Sequence, residues 1–310
     1  IGKAGQKRIS DTTVSIVGCG ALGSNSAEIM ARAGVKKIIL IDGDKVEESN
    51  LQRQAMYTKK DVGSYKVEAL KEHILSVRDD IEVEIHKEFL AENNVDLIKS
   101  DMILDGLDNL KTRFMINEFA KKKNIPYVFG ATIKSEGMVY SVLPKRPCFE
   151  CVFKNSKDFE SCESQGILAS AAKTVASIQC VEAIKIIMGE KFRPNLIKFN
   201  LWDNNFLSLK TKFNSNCSIC NKKETKLPSF EIKECETKAM YRVKLKERKH
   251  LDMSKLQDFE VVMDGGMIVI VSIDGHEVIV HDYGELIFKE LKDTEKIREV
   301  SQTIYGKIIP

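Results

Sequence analysis

Three glycines near the start of the chain have the spacing of a phosphate-binding turn. Gly18, Gly20 and Gly23 follow an apolar, strand-like segment and open a helix-like one. Glycines let the backbone approach a phosphate, and a helix N-terminus offers unpaired N–H groups and the positive end of a dipole. Asp42 ends the next strand-like segment, where its carboxylate can accept hydrogen bonds from ribose hydroxyls. The pattern predicts a mononucleotide site without distinguishing NAD from ATP.

A second group of polar residues distinguishes these two nucleotides. Asn50 and Arg53 follow soon after Asp42, and Lys66 comes next along the chain. A hydride-transfer enzyme does not need these groups beyond the ribose, whereas an enzyme that cleaves the α–β phosphate bond must offset the charge that builds on pyrophosphate. Arg53 suits bidentate phosphate binding, and Lys66 acts as a point charge. The group therefore favours ATP.

Asp108, followed by Asn109, ends another strand-like segment. Its carboxylate could bind Mg²⁺ together with phosphate oxygens and water. The alternative interpretation is that Arg53 and Lys66 are surface charges and that Asp108 caps the following helix. Because such folds bind ligands at the C-terminal ends of their strands, the joint placement of these residues favours catalysis.

The eight cysteines include two Cys-x-x-Cys pairs. The thiolates of Cys148, Cys151, Cys217 and Cys220 would bind one tetrahedral Zn²⁺ in a closed structural site, provided that the fold brings the pairs together. The alternative is a set of unrelated buried or redox cysteines. No charged-then-apolar leader opens the sequence, so we expect a reducing, cytoplasmic location, where such pairs favour zinc over disulfides. Cys180 lies on an amphipathic helical segment and is expected to pack in the core.

Alternating strand-like and helix-like segments are expected to position these residues. Strands are expected at residues 13–18, 37–42, 81–87, 102–107 and 127–132, with helices at 21–33, 64–77 and 109–123. This order predicts an α/β fold with a Rossmann-like, doubly wound and mostly parallel sheet. Further strands are expected at 137–143 and 196–201, a helix at 171–188, and a loop that crosses the C-terminal edge of the sheet at 145–170.

Composition changes after Cys220. We expect residues 1–222 to form one domain, 223–229 a charged linker and 230–310 a small α+β domain. In the last domain we expect strands near 239–245, 258–263, 267–272 and 276–281 and a helix at 284–302. No pattern there indicates catalysis, and we hypothesise that this domain docks a protein substrate or a downstream enzyme.

The bulk composition is that of a globular protein. The 310 residues are 43% hydrophobic and 30% charged, with a net charge of +3. This charge is too small to indicate nucleic acid or an anionic membrane surface. No apolar run approaches the roughly 20 residues that a membrane helix needs. We therefore expect neither a nucleic-acid partner nor a membrane partner.

These motifs, in this order, closely resemble the ThiF/MoeB/HesA family, the relatives of the ubiquitin-activating enzyme, over residues 1–222. The resemblance implies ATP- and Mg²⁺-dependent adenylation of the C-terminal glycine carboxylate of a small ubiquitin-like or sulfur-carrier protein. It implies catalytic roles for Arg53, Lys66 and Asp108, and one structural Zn²⁺ on the two cysteine pairs, which stabilises the crossover loop. The nucleotide-binding set that it implies is Gly18, Gly20, Ala21, Gly23, Asp42, Asp44, Asn50, Gln52, Arg53, Lys66, Asp108 and Asn109.

The resemblance also concerns assembly and covalent chemistry. It implies a homodimer or pseudo-dimer, in which an N-terminal arginine reaches the partner's ATP; the sequence from Ile1 resembles the stretch just after that arginine. Cys162 lies where some members carry a thiol that accepts the acyl group as a thioester or persulfide-linked intermediate. Other members work without that thiol, so both routes stay open.

Three alternatives stay open beside this interpretation. The first is an NAD-dependent oxidoreductase, against which the run from Asn50 to Arg53 argues. The second is a binding module that keeps the fold without catalysis. The third keeps adenylation but acts on a peptide or a tRNA base.

Overall fold

The computed structural model describes residues 1–154, 166–190, 195–220, 229–235, 240–246 and 251–309. The chain divides into two compact units, Ile1–Asn221 and Lys222–Pro310. Each unit has its own sheet and its own apolar core. Cys162 and residues 223–228 of the expected linker lie outside the described residues.

An eight-stranded sheet forms the centre of the N-terminal unit. Its strands are β1 (Thr13–Val17), β2 (Lys37–Ile41), β3 (Glu82–His86), β4 (Met102–Asp105), β5 (Tyr127–Ile133), β6 (Glu136–Val142), β7 (Leu196–Asn200) and β8 (Asn205–Leu209). The spatial order is β3-β2-β1-β4-β5-β6-β7-β8, in which β1 to β5 are parallel and β6 to β8 antiparallel. The predicted mostly parallel sheet is confirmed, and β8 is an additional strand.

Helices cover both faces of this sheet. They are α1 (Gly2–Ser10), α2 (Gly23–Ala33), α3 (Lys66–Val77), α4 (Leu110–Lys123), α5 (Phe149–Phe153) and α6 (Ala169–Met188). Strand side chains alternate between two cores: Ile38 packs in the core that includes residues of α2, α3 and α6, and Ile39 in the core that includes residues of α4 and α5. Burial on both faces explains why the parallel strands are continuous apolar runs. No helix in the described part of the chain is long and apolar enough to cross a membrane.

The expectation of an uninterrupted loop over residues 145–170 was wrong at α5. Phe149 and Phe153 lie one helical turn apart, and their ring centroids are 4.6 Å from each other. Both rings also contact Phe129 of β5, at 4.9 and 5.0 Å. Helical spacing brings the two rings onto one face, and burial of aromatic surface stabilises this short helix.

The C-terminal unit is a six-stranded antiparallel sheet with one packed helix among its described residues. Its strands are β9 (Phe230–Cys235), β10 (Met240–Leu245), β11 (Glu260–Asp264), β12 (Ile268–Ile273), β13 (His276–His281) and β14 (Glu285–Phe288), in the order β11-β12-β13-β14-β10-β9. The helix expected at 284–302 was wrong in its first part, which is β14. Helix α7 (Thr294–Ile308) starts later because the Asp293 carboxylate accepts the N–H groups of Glu295 and Lys296.

Candidate nucleotide site and metal centre

Main chain forms the floor of a cavity at the C-terminal edge of β1 and β4. Gly18 follows β1 with a φ of +87°, and a Cβ at this position would lie 2.7 Å from the carbonyl carbon of Gly106. Gly23 begins α2, and a Cβ there would lie 1.8 Å from the carbonyl oxygen of Gly18. Glycine alone fits these contacts, so α2 starts directly against the sheet. The N-cap residue Leu22 has no side-chain acceptor for the first N–H groups of α2, which favours an anion at this end.

The cavity has a volume of about 540 Å³. Of the expected nucleotide-binding residues, those that line it are Gly18, Gly20, Ala21, Asp42, Asp44, Asn50, Gln52, Arg53, Lys66, Asp108 and Asn109. Gly23 does not line it, because its contact with Gly18 holds the helix against the strand. At Gly20 the nearest atom to an added Cβ is 3.8 Å away, so the turn is open toward the cavity.

Asp42 follows β2 and is buried beside the glycine turn. Its Oδ2 accepts the N–H of Cys19 (2.6 Å), and its Oδ1 accepts the N–H of Asp44 (2.7 Å). Burial raises the pKa of Asp42, and these two hydrogen bonds oppose the rise. The carboxylate therefore fixes the shape of the turn. Each oxygen keeps a further lone pair for a ribose hydroxyl.

Lys66 and Arg53 bring positive charge to the same cavity. Lys66 is the first residue of α3, its side chain is 8% exposed, and its Nζ lies 2.7 Å from Oδ2 of Asp44. Arg53 is half-buried and donates from Nη1 to the carbonyl oxygen of Ser49 (3.1 Å). A partly desolvated cation attracts a phosphate more strongly than one in bulk water does.

Asp108 and Asn109 stand where β4 leads into α4. Asn109 is the N-cap of α4, because its Oδ1 accepts the N–H of Thr112 (2.9 Å). The alternative in which Asp108 caps this helix is therefore wrong. The Asp108 carboxylate is exposed and lines the cavity, which leaves its oxygens available to a hard cation such as Mg²⁺.

A buried polar network that the sequence analysis missed supports this loop. Asp105 is fully buried, and its Oδ2 accepts from Nε of Arg113 (3.0 Å) and from the hydroxyl of Tyr127 (2.7 Å). Arg113 also donates to the carbonyl oxygens of Leu107 and Gly130. Arg113 lines the cavity as well. Arg113 follows Asp108 by five residues, and this spacing did not indicate a role in the site, because an arginine in a helix usually faces solvent.

Tyr57 is a second residue that the sequence analysis missed. It is 4% exposed, and its hydroxyl donates to the carbonyl oxygen of Cys19 (2.6 Å) in the glycine turn. The same hydroxyl lies 3.4 Å from the carbonyl oxygen of Lys66. Tyr57 therefore connects the floor of the cavity to the start of α3.

We expect a Tyr57→Phe variant to lose about 1–3 kcal/mol of unfolding free energy and to bind ATP more weakly, because the Cys19 carbonyl loses its buried donor. Chemical denaturation and calorimetric ATP titration measure the two effects. Tyr140→Phe is the matched control, since that buried hydroxyl donates to Pro147 (2.7 Å) outside the cavity lining. Wild-type ATP affinity in the Tyr57 variant would remove this role for Tyr57.

The two cysteine pairs converge as expected. The Sγ atoms of Cys148, Cys151, Cys217 and Cys220 all lie within 4.8 Å of one another. The Cys148 Sγ lies 3.4 Å from that of Cys217 and 3.9 Å from that of Cys151. Tetrahedral zinc with Zn–S bonds of about 2.3 Å requires S···S distances of about 3.8 Å. The four thiols therefore fit one Zn²⁺.

Residues around the cluster hold the two pairs together. Glu150 accepts the N–H and the hydroxyl of Ser218, at 3.1 and 2.7 Å, and pairs with Lys154 at 2.7 Å. These contacts join α5 to the second cysteine pair. By contrast, Cys180 of α6 is fully buried, and burial raises its pKa to about 12. A buried thiol of this kind is unreactive, which agrees with the expected packing role.

The fold and these sites together define an α/β protein with a cavity at a glycine-rich turn and a four-cysteine cluster that could hold a metal ion. The model of the ThiF family matches residues 1–219, and the chain belongs to this family. The resemblance seen in the motifs is thereby confirmed.

Two curated relatives are similar over most of this unit. The sulfur carrier protein ThiS adenylyltransferase of Bacillus subtilis is 35% identical, covering 74% of this chain and 71% of its own. The SAMP-activating enzyme E1 of Haloferax volcanii is 32% identical, covering 71% and 84%. Among solved structures, E. coli MccB crystallised with ATP has a TM-score of 0.62 and 23% identity, covering 70% of this chain and 68% of that one. The last similarity concerns the fold.

Proposed function

We propose that this chain uses ATP to adenylate the C-terminal carboxylate of a small ubiquitin-like or sulfur-carrier protein. The observation that carries the proposal is that Arg53, Lys66 and Asp108, distant in sequence, line one cavity with the glycine turn. Membership of the ThiF family supports it. So do the names of two relatives, one a sulfur carrier protein adenylyltransferase and the other an activating enzyme E1.

In the proposed reaction, a carboxylate oxygen of the carrier forms a bond with the α-phosphorus of ATP. The bond from that phosphorus to the oxygen bridging the β-phosphate breaks, and the products are an acyl adenylate and pyrophosphate. The attacking group is already an anion, so no general base is needed. Arg53 and Lys66 offset the charge on the departing pyrophosphate, and the cavity positions both substrates.

The two metal ions have different proposed roles. Asp108 would hold Mg²⁺, which completes its oxygen shell with phosphate groups and water and neutralises phosphate charge when it is bound. The four-cysteine cluster would hold Zn²⁺ for stability, because a closed four-thiolate site leaves no position for a substrate.

An exposed apolar surface on the N-terminal unit supports a protein substrate. Around edge strand β8 the exposed side chains are Trp202 (79%), Phe206 (57%), Leu207 (49%), Leu209 (43%) and Phe213 (56%). Exposed apolar side chains grouped at one edge of a sheet are typical of surfaces that contact another protein. We assign this surface, here called the β8 surface, to docking of the carrier protein. We also propose a homodimer, which the family resemblance implies.

Two further parts of the proposal concern thiols. Cys162 is the candidate acceptor of the activated acyl group, in a step that forms a thioester and releases AMP. The reduced thiols that a four-cysteine zinc site requires favour a reducing compartment, so we propose that the reaction takes place in the cytoplasm.

The proposal is tested by exchange of labelled pyrophosphate into ATP. We expect exchange only when a carrier protein ending in a free glycine carboxylate is present, and none with the same carrier amidated at its C-terminus. Exchange supported instead by a short peptide or a tRNA would identify that molecule, and not a carrier protein, as the substrate. The absence of exchange with every candidate, in chain that binds ATP, would favour a binding module of the same fold.

Trp202 is the single tryptophan of the chain and therefore reports on the β8 surface. We expect carrier binding to shift its emission to shorter wavelength, because docking removes the indole from water. A Phe206→Ser variant should weaken carrier binding about 10-fold, as the loss of an apolar anchor does. The control is Met267→Ser, which replaces an exposed apolar residue of the C-terminal unit (71% exposed, against 57% for Phe206). If only the Met267→Ser variant bound the carrier more weakly, the docking site would be assigned to the C-terminal unit.

A further inference from the structure

Asn117 is fully buried on α4, beside the cysteine cluster. Its Oδ1 accepts the N–H of Phe149 at 2.9 Å, and Phe149 directly follows Cys148. Its Nδ2 is buried without a hydrogen-bond partner among the described residues. A buried amide donor without an acceptor costs about 1–3 kcal/mol, so its presence calls for an explanation.

Cys148 is the residue before Phe149, so the hydrogen bond from the Phe149 N–H to Oδ1 holds the Asn117 amide beside this cysteine. Cys148 is itself buried and lies at the N-cap of α5. In a metal-bound cluster its sulfur would be a thiolate, which accepts N–H groups better than a thiol does.

We propose that Asn117 is a positioning residue of the metal centre, donating from Nδ2 to the thiolate of Cys148 when the four cysteines hold Zn²⁺. One side chain then binds both the ligand sulfur and the backbone beside it, so α4 and the first cysteine pair are held in one geometry. Such partners of metal ligands orient the ligand and tune its basicity. The proposal rests on the assignment of the cluster to zinc and is independent of the adenylation reaction.

The test is the rate at which the purified full chain releases zinc to a chromogenic chelator. We expect Asn117→Ala and Asn117→Asp to release zinc at least about 10-fold faster than the wild type. The aspartate keeps an acceptor for the Phe149 N–H but has no donor for sulfur. Asn25→Asp on α2 is the control for a buried charge, because Asn25 is also buried but lies outside the cluster, and its Nδ2 donates to the carbonyl oxygen of Ala21 at 2.7 Å. It should release zinc at the wild-type rate.

A second readout separates the hydrogen bond from a general loosening of the fold. In the Co²⁺-substituted protein, loss of a donor to a thiolate should move the sulfur-to-metal charge-transfer band to lower energy in Asn117→Ala. Circular dichroism confirms that each variant is folded. Wild-type zinc release in Asn117→Asp, or an unchanged band in Asn117→Ala, would overturn the proposal.

Discussion

A Lys66→Met variant is expected to lose at least about 100-fold in the rate of carrier-dependent ATP–pyrophosphate exchange. The physical reason is that Lys66 supplies a nearly buried positive charge to the cavity, and a fixed charge at a developing anion lowers the barrier by about 3–4 kcal/mol in comparable sites. Methionine keeps most of the apolar stem and removes the charge. Because this charge acts mainly in the transition state, kcat should fall more than the KM for ATP rises.

The control for this variant lies on the same helix. Lys71→Met also removes one positive charge from α3, but Lys71 does not line the cavity. We expect it to retain wild-type exchange. Equal activity of the Lys66 variant and the wild type, with both proteins folded, would contradict the proposed role and with it the ATP chemistry.

Replacing Cys217 by serine is expected to abolish zinc binding and to lower the melting temperature by at least about 10 °C. Structural zinc sites contribute on the order of 10 kcal/mol to folding, while whole domains are stable by only about 5–15 kcal/mol. Cys217 is almost fully buried. Its replacement leaves three thiols in the cluster, and three thiols cannot close a tetrahedral shell. Metal analysis and thermal unfolding measure the two effects.

Cys180→Ala is the matched control, because it also removes a buried thiol but lies outside the cluster. This variant should keep one zinc per chain and most of its stability. A Cys217→Ser protein with a full complement of zinc would mean that the cluster does not bind the metal through four thiolates.

Local pattern was sufficient to predict the nucleotide half of the fold. Strands β1, β2 and β4 are short apolar runs buried on both faces, and each ends at a glycine or an aspartate that starts a turn. The residues that follow each of these strands in the sequence therefore also lie close to its end in the structure. The cysteine pairs were equally predictable, because the ligand spacing within each pair is local even though the two pairs lie far apart in the sequence.

Long-range packing explains what could not be predicted. Asp105 acquires its role through Arg113 and Tyr127, which no local spacing connects to it. The residues of β14 were predicted as the start of a helix, because their strand conformation depends on antiparallel pairing with β10 and β13. Tyr57 lies in an irregular stretch, and its contact with the glycine turn depends on how residues 42–66 fold back.

The backbone contact among Gly18, Gly23 and Gly106 limits how this protein can diversify. A surface made of peptide groups has no side chains to exchange, so substitution cannot reshape the floor of the cavity without displacing a helix from its strand. Changes in the shape of the cavity must therefore come from the side chains of its walls. Phe89 and Thr132 are two such side chains, and natural variation or engineering at these positions can change the cavity while the glycine turn stays as it is.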